Sequence, residues 1–313
     1  MTKERNFSGV IAPVLTPFGS DGTPDPDRFI DHAHWLIEEG CTALAPFGTT
    51  SEANSLGLDE RLELLEALVE GGIDPAMMMP GTGACSVTDA IILTEHAMEA
   101  GCKGVLMLPP FYYKNPSEEG LFRFFAEVIE EIGDEDLKIY LYHIPPVAQV
   151  GFPLGLIGRL KKAYPTVIKG MKDSSGDWSN MKAVLEAHPD LEFFPGSEMH
   201  LLQGLRHGAA GVISATANVS PAPMRALFDS YMKNPDDTAG ADAQQEKISA
   251  LRTAVQAYPV IPLLKALVAH YREDEQWAEL RPPFETLDEA TSKKAITELA
   301  ENHGLKLKFD EAA

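Results

Sequence analysis

A lysine at the end of an apolar run is the first feature of the chain that suggests chemistry. In Thr166-Val167-Ile168-Lys169-Gly170-Met171-Lys172-Asp173-Ser174-Ser175-Gly176-Asp177 the first half is β-branched and apolar, and the second is a Ser/Gly/Asp turn running into a helix. The pattern predicts a buried strand ending at Lys172. Burial disfavours an ammonium ion, and the free amine it leaves can attack a ketone to form a Schiff base. The same placement suits a lysine that snorkels to the strand rim or pairs with Asp173.

The elements that would hold this lysine follow a βαβα rhythm. Short apolar runs occur at Val10–Val14, Ala43–Phe47, Ala76–Met79, Gly104–Leu108, Lys138–Tyr142, Val167–Met171, Leu191–Phe194 and Ala210–Ile213. Between them lie stretches of helical period, such as Leu62, Leu65, Leu68 and Val69, or Leu121, Phe125, Val128 and Ile129, with acids on the other face. Asp59, Ser86, Ser117 and Asp177 are start signals for four of the helices. Eight such units over about 230 residues predict an α/β fold, a (β/α)₈ TIM barrel, for which roughly 250 residues is typical. A doubly wound sheet would carry a Gly-rich turn after its first strand, and Val14-Leu15-Thr16-Pro17-Phe18 is not one. After Tyr231 the strand pattern stops at Asn234-Pro235. The remainder reads as helices over Ala243–Ala257, Ile261–Tyr271 and Leu287–Asn302, with a turn at Arg281-Pro282-Pro283-Phe284. The expected organisation is a catalytic barrel over residues 1–233 and a C-terminal helical region over 234–313, packed on the barrel or on a partner.

Composition excludes several functions. With 47 acidic against 26 basic residues the net charge is −21, which repels nucleic acid and anionic membranes. The acids are dispersed along the chain, as suits solubility, including in a salty milieu. Cys41, Cys85 and Cys102 form no C-x-x-C pair and fit a reducing compartment. The N-terminal Met1–Asn6 has no apolar run of the signal-peptide kind, and no stretch reaches about 18 apolar residues, so the expectation is a cytoplasmic protein. The nine histidines make no metal pattern: His200 and His207 stand seven apart on an expected helix with no H-E-x-x-H, and no metal or cofactor is expected.

In a (β/α)₈ barrel the chemistry sits at the C-terminal ends of the strands. After the second run comes Gly48-Thr49-Thr50-Ser51-Glu52, whose N–H groups and hydroxyls could hold a carboxylate, or simply cap the next helix. After the fifth comes Tyr142-His143-Ile144-Pro145-Pro146, where Tyr142 is placed to reach Lys172 and act as a general acid/base, or to sit half-buried with its hydroxyl satisfied. After the fourth comes the stiff aromatic loop Pro109–Pro116, the composition of an interface. Gly196-Ser197-Glu198 follows the seventh run and places an acid where a phosphate cradle would want none.

Taken together, these strings resemble the dihydrodipicolinate synthase / N-acetylneuraminate lyase family of Schiff-base aldolases. Gly48-Thr49-Thr50-Ser51-Glu52 resembles its G-[ST]-T-G-E loop, Gly81-Thr82-Gly83 its G-x-G, and Tyr112-Tyr113 with Pro116–Leu121 its interface loop. Tyr142-His143-Ile144-Pro145 resembles its Y-N-x-P, and Gly170-Met171-Lys172-Asp173 its G-x-K-[DE]. The resemblance implies that Lys172 forms the Schiff base with pyruvate or a larger 2-keto acid and that Tyr142 transfers protons. It further implies that Thr49, Thr50 and Gly48 hold the carboxylate, and that Tyr113 completes a relay with Thr49 from a neighbouring subunit of a homotetramer or homodimer. Gly196, Ser197, Glu198 and Ile213 are further expected substrate contacts, with Ser197 and Glu198 able to bond the hydroxyls of a sugar acid.

Departures from the family pattern bear on the substrate. True synthases carry an Arg two residues after the Pro of Y-N-x-P to hold aspartate semialdehyde, and here that position is Val147, more similar to the neuraminate lyase branch. Where feedback-sensitive synthases carry histidines and an Asn, this chain has Leu58, Arg61 and Cys85. Ser51 replaces the loop glycine, which would strain the loop if φ there must be positive, and His143 replaces the Asn. The expected function is a lyase, aldolase or dehydratase, acting on pyruvate or a hydroxylated 2-keto acid such as a sugar-acid derivative. The alternatives are a 4-hydroxy-tetrahydrodipicolinate synthase condensing pyruvate with aspartate semialdehyde, and a keto-acid-binding sensor barrel.

Overall fold

The strands of a closed parallel barrel read inward and outward in turn, and this alternation is visible in the packing. In the computed structural model, which describes residues 5–309, β1 (Gly9–Ala12), β2 (Ala43–Leu44), β3 (Val105–Met107), β4 (Ile139–His143), β5 (Ile168–Asp173), β6 (Glu192–Pro195) and β7 (Gly211–Ile213) are all parallel. Val10, Ala12, Val105, Met107, Ile139 and Leu141 face the helices, while Ile11, Leu106, Tyr140 and Tyr142 fill the barrel. Two sheets, ordered β2-β1-β7 and β3-β4-β5-β6, close on each other at two seams. At one, Ala210 N donates to Phe193 O at 2.8 Å.

The other seam corrects the expected third strand. Ala76 and Met77 of the run Ala76–Met79 belong to a 3₁₀ turn, Pro75–Met77, N-capped by Asp74. The eighth barrel segment lies just beyond it. Met79 N donates to Leu44 O (2.8 Å) and Gly81 N to Pro46 O (2.8 Å) on one side, and Thr82 N to Leu106 O (3.0 Å) on the other, with bridges at Met78 and Gly81. The fold is therefore a (β/α)₈ barrel with C-terminal helices.

Helix starts follow local chemistry. Ser86, Ser117 and Asp177 cap their helices as expected, but the second helix, Leu58–Glu70, starts at Gly57, whose N–H donates to Glu60 Oε2 (2.8 Å), so Asp59 lies in its first turn. The C-terminal helices run Thr238–Gln256, Val260–Arg272 and Glu289–His303. His200 and His207 flank the short helix Leu201–Arg206 instead of sharing it. Met1–Glu4 of the N-terminal stretch lie outside the described residues. No helix among them is long and apolar enough to cross a membrane.

The exits of β1 and β7 are tied together by Asn218. Its Oδ1 accepts from Leu15 N (3.0 Å) and its Nδ2 donates to Pro13 O (3.0 Å) and Ala215 O (2.9 Å), while His32 Nε2 lies 3.2 Å from the same Oδ1. His32 is fully buried against Trp35 and Trp277, and burial, helped by the charge of Arg272, brings its pKa down to about 3 from 6.5. The unfolded chain takes up that proton near pH 6.5 and the folded chain refuses it until about pH 3. Stability therefore falls as pH drops through this window, with His32 contributing ~1.4 kcal/mol per pH unit. His32→Asn is expected to flatten the pH dependence of unfolding free energy between pH 6.5 and 5 by about that slope. Denaturant melts check this, and an unchanged slope would refute it.

Candidate active site

Lys172 reaches the barrel interior through an irregularity. Ile139 pairs with Ile168 but Tyr140 pairs with Gly170, so β5 carries one extra residue at Lys169. The pairing beyond it sets Tyr142 beside Lys172 and His143 beside Asp173. Lys172 is buried, and its Nζ lies 4.2 Å from the centroid of the Tyr142 ring. The Tyr142 hydroxyl lies 3.2 Å from Thr49 Oγ1. Asp173 is not the partner of Lys172: its carboxylate accepts from Ser175 N (2.8 Å) and Asn180 Nδ2 (2.7 Å). His143 Nδ1 accepts from Phe152 N (2.9 Å), and burial lowers its pKa against the opposing pull of Asp173, so the ring serves as a brace for the segment after Tyr142.

The 48–52 loop is a tight turn. Gly48 O accepts from Ser51 N (3.1 Å) and Ala53 N (3.2 Å), and Thr49 O accepts from Glu52 N (3.1 Å). The left-handed residues are Phe47 (φ 61°) and Glu52 (φ 55°), not Ser51, so the serine that stands in the glycine position is unstrained. Its hydroxyl accepts from Gly48 N (3.2 Å) and its carbonyl from Thr16 Oγ1 (2.8 Å). Thr50 is buried within this turn. Gly48, Thr49, Gly81, Gly83, Leu106 and Tyr142 bound one narrow cavity.

Other expected residues are placed differently. Gly196 N donates to Asp173 O (2.6 Å), and a Cβ there would stand 1.9 Å from Ser174 Oγ, so only glycine fits. Ser197 Oγ accepts from Met199 N (3.3 Å) as a cap. Glu198 is buried; its Oε2 accepts the Ser214 hydroxyl and has Arg252 Nε 4.0 Å away, while its Oε1 has no hydrogen-bond partner among the described residues. Ile213 pairs with Ile11 inside the barrel. Tyr113 is 79% exposed, edge-on to Tyr112, and this chain does not bring it to Thr49. Lys114 ties that loop to the next, donating to Phe111 O (2.5 Å) and Ala148 O (3.0 Å). Val147 is 60% exposed and offers no charge.

Arg61 and Cys85 meet at one cleft with Leu58; Arg61 Nη2 donates to Gly81 O (2.5 Å), and burial lowers the guanidinium to about 10. Sequence reasoning missed Lys265, which pairs with Glu52 at 2.7 Å with both side chains buried. The available signal was a single charge within the apolar helical run Val260–Ala269.

The model of the dihydrodipicolinate synthetase family matches residues 6–302. A relative from Chloroflexus aurantiacus, named an uncharacterized DapA-like lyase, is 33% identical over 277 residues, 88% of this chain and 90% of that one. The crystal structure of dihydrodipicolinate synthase from Agrobacterium tumefaciens strain C58 has a TM-score of 0.85 at 34% identity, covering 94% of this chain and 98% of that one. YagE from Escherichia coli K12, solved in complex with pyruvate, has a TM-score of 0.87 at 25% identity, covering 96% and 99%.

The glycines between these strands are steric requirements. A Cβ on Gly81 would meet Phe47 O at 2.1 Å and one on Gly83 would meet Leu108 N at 2.4 Å. Gly81→Ala is expected to cost about 1–3 kcal/mol in a thermal or denaturant melt, because the opposing atom is backbone and must move. A melt unchanged from wild type would show that the loop yields freely.

Proposed function

Because the chain belongs to the dihydrodipicolinate synthetase family and is a class I, Schiff-base-forming lyase of that family, we propose that Lys172 is the amine that condenses with the keto carbon of pyruvate or of a hydroxylated 2-keto acid. The observation that carries the assignment is the alignment of a buried Lys172 beside Tyr142, whose hydroxyl is bonded to Thr49. Lys172 Nζ forms the C=N bond and the keto oxygen leaves as water. The iminium then acts as an electron sink: when the C3–C4 bond of a 4-hydroxy-2-keto acid breaks, its electron pair becomes the enamine and the 4-hydroxyl loses its proton as an aldehyde forms. Tyr142, relayed through Thr49, takes and returns the protons. The Thr49–Thr50 loop holds the carboxylate through N–H groups and hydroxyls.

Tyr113 is proposed to join this relay from a second copy of the chain. Its exposure on a loop braced by Lys114 supports that reading, and a symmetric dimer or tetramer would give each site its partner's tyrosine. Gly196 belongs to the wall of the site, while Ser197 and Glu198 serve the turn after β6. The second reading is a dihydrodipicolinate synthase, favoured by the 34% identical Agrobacterium structure. Exposed, uncharged Val147 argues against it, since the acid of aspartate semialdehyde would lack a cation there.

Borohydride reduction in the presence of pyruvate is expected to add one reduced pyruvate at Lys172, read by intact mass and peptide mapping, and Lys172→Ala is expected to lose it. An adduct on Lys169 or on surface lysines alone would refute the assignment. Tyr142→Phe should still trap pyruvate but turn over at least ~100-fold more slowly, as loss of a general acid/base does. Assayed in parallel, hydroxylated 2-keto acids are expected to yield pyruvate, while pyruvate with aspartate semialdehyde yields no product; the reverse result would establish the synthase.

A further inference from the structure

We propose that the buried Glu52–Lys265 ion pair positions the carboxylate-holding loop, making Lys265 a positioning residue for ligand binding although it lies in the C-terminal helices. This rests on the reading of Lys172 and the 48–52 loop given above. Lys265 Nζ lies 2.7 Å from Glu52 Oε1, donates to Glu279 O at 2.7 Å, and sits 4.3 Å from the centroid of Phe18. Glu52 Oε2 accepts from Arg281 N at 3.1 Å. The guanidinium of Arg281 clamps the same flank, donating to Ser55 O (2.9 Å) and to both oxygens of Glu60 (2.6 and 2.5 Å).

The loop needs such a tether. It enters at Phe47 and leaves at Glu52, both left-handed without being glycine, a conformation that persists only where the surroundings over-determine it. At Glu52 what determines it is the side chain, drawn inward to Lys265. Burying two charges is expensive, and apolar residues of similar size could pack the helix Val260–Arg272 against the barrel as well or better. What an apolar contact lacks is direction. The ion pair fixes where the Glu52 carboxylate lies, and through two intervening peptide groups it sets the place of Thr50 and the loop N–H donors. Thr49 keeps its own bond to Tyr142, so the pair acts on ligand binding more than on proton transfer.

Removing Lys265 alone would leave Glu52 buried without its counter-charge, and the chain could fail to fold for that reason. The test therefore uses Glu52→Met/Lys265→Met, which removes both charges at near-constant volume, beside wild type and Lys265→Met. Borohydride trapping is titrated with pyruvate, and melts and lyase kinetics are recorded on the same preparations. Expected is a folded double variant whose half-saturating pyruvate concentration rises about tenfold while the adduct at saturation, still on Lys172, and kcat stay within about threefold of wild type. An unchanged half-saturation, whatever the melting temperature does, would overturn the proposal and leave the pair a packing feature. Loss of the adduct at every concentration in a folded double variant would overturn it too, because the pair would then act on Lys172 itself. Absence of any adduct in wild type would instead refute the Lys172 reading, and this inference with it.

Discussion

Side chains alternate along a strand, so the offset of four positions from Ile168 to Lys172 would place both on the same face of β5. Ile168 packs against the helices, and an uninterrupted strand would send Lys172 there as well. The extra residue at Lys169 reverses the phase. Lys169 is held at the bulge by Glu192, 3.6 Å from its ammonium, and Gly170 then faces inward, where a Cβ would stand 2.4 Å from the Tyr140 ring. Glu192 also accepts from Tyr140 OH (2.5 Å), Asn6 N (2.8 Å) and Phe7 N (3.1 Å). One carboxylate thus closes the barrel floor and pins the bulge that aims Lys172 upward, so floor and site form one mechanical unit.

Close backbone approach is the second constraint. The segment between β2 and β3 crosses where Phe47 O would touch any side chain on Gly81, and beyond β5 the chain passes so near Ser174 that Gly196 admits none. These contacts set the spacing of the strand ends, and they explain why the third strand is a pair of bridges instead of a ladder. Its regular part is cut short by Pro75 and Asp74 at one end and by the glycines at the other.

Most of the barrel was legible in sequence because strand and helix periods are local. The rhythm located seven strands and the C-terminal helices, and motif strings after the apolar runs picked out Lys172, Tyr142 and Thr49, which the structure brings together. The first half of the run Ala76–Met79 misled because apolarity alone does not distinguish a strand from a 3₁₀ turn, while Met78 and Met79 do join the barrel. Asp59 misled because the bond from Gly57 N to Glu60 Oε2 starts the helix two residues earlier. Pairing decided the rest. The bulge at Lys169 exists only relative to β4, Glu198 is claimed by Ser214 and Arg252, and Glu52 meets Lys265 across more than two hundred residues. None of these has a local signature.

The charges around the loop also bear on what it can hold. Lys265 and Arg281, the cations bonded to the loop and its flank, are spent on Glu52 and Glu60; the N–H groups of Gly48, Ser51 and Glu52 are bonded within the turn, which leaves those of Thr49 and Thr50 with their hydroxyls. A free guanidinium in this position would bind any carboxylate strongly before and after reaction, which lowers KM without favouring the chemical step. Neutral donors hold the acid more loosely. On the proposed reading the charge that matters then arises during the reaction, as Lys172 becomes an iminium beside the ligand's own carboxylate, and the attraction between them grows as the covalent intermediate forms. A site that keeps its fixed cations for positioning and leaves the reactive charge to Lys172 couples tight holding to bond formation.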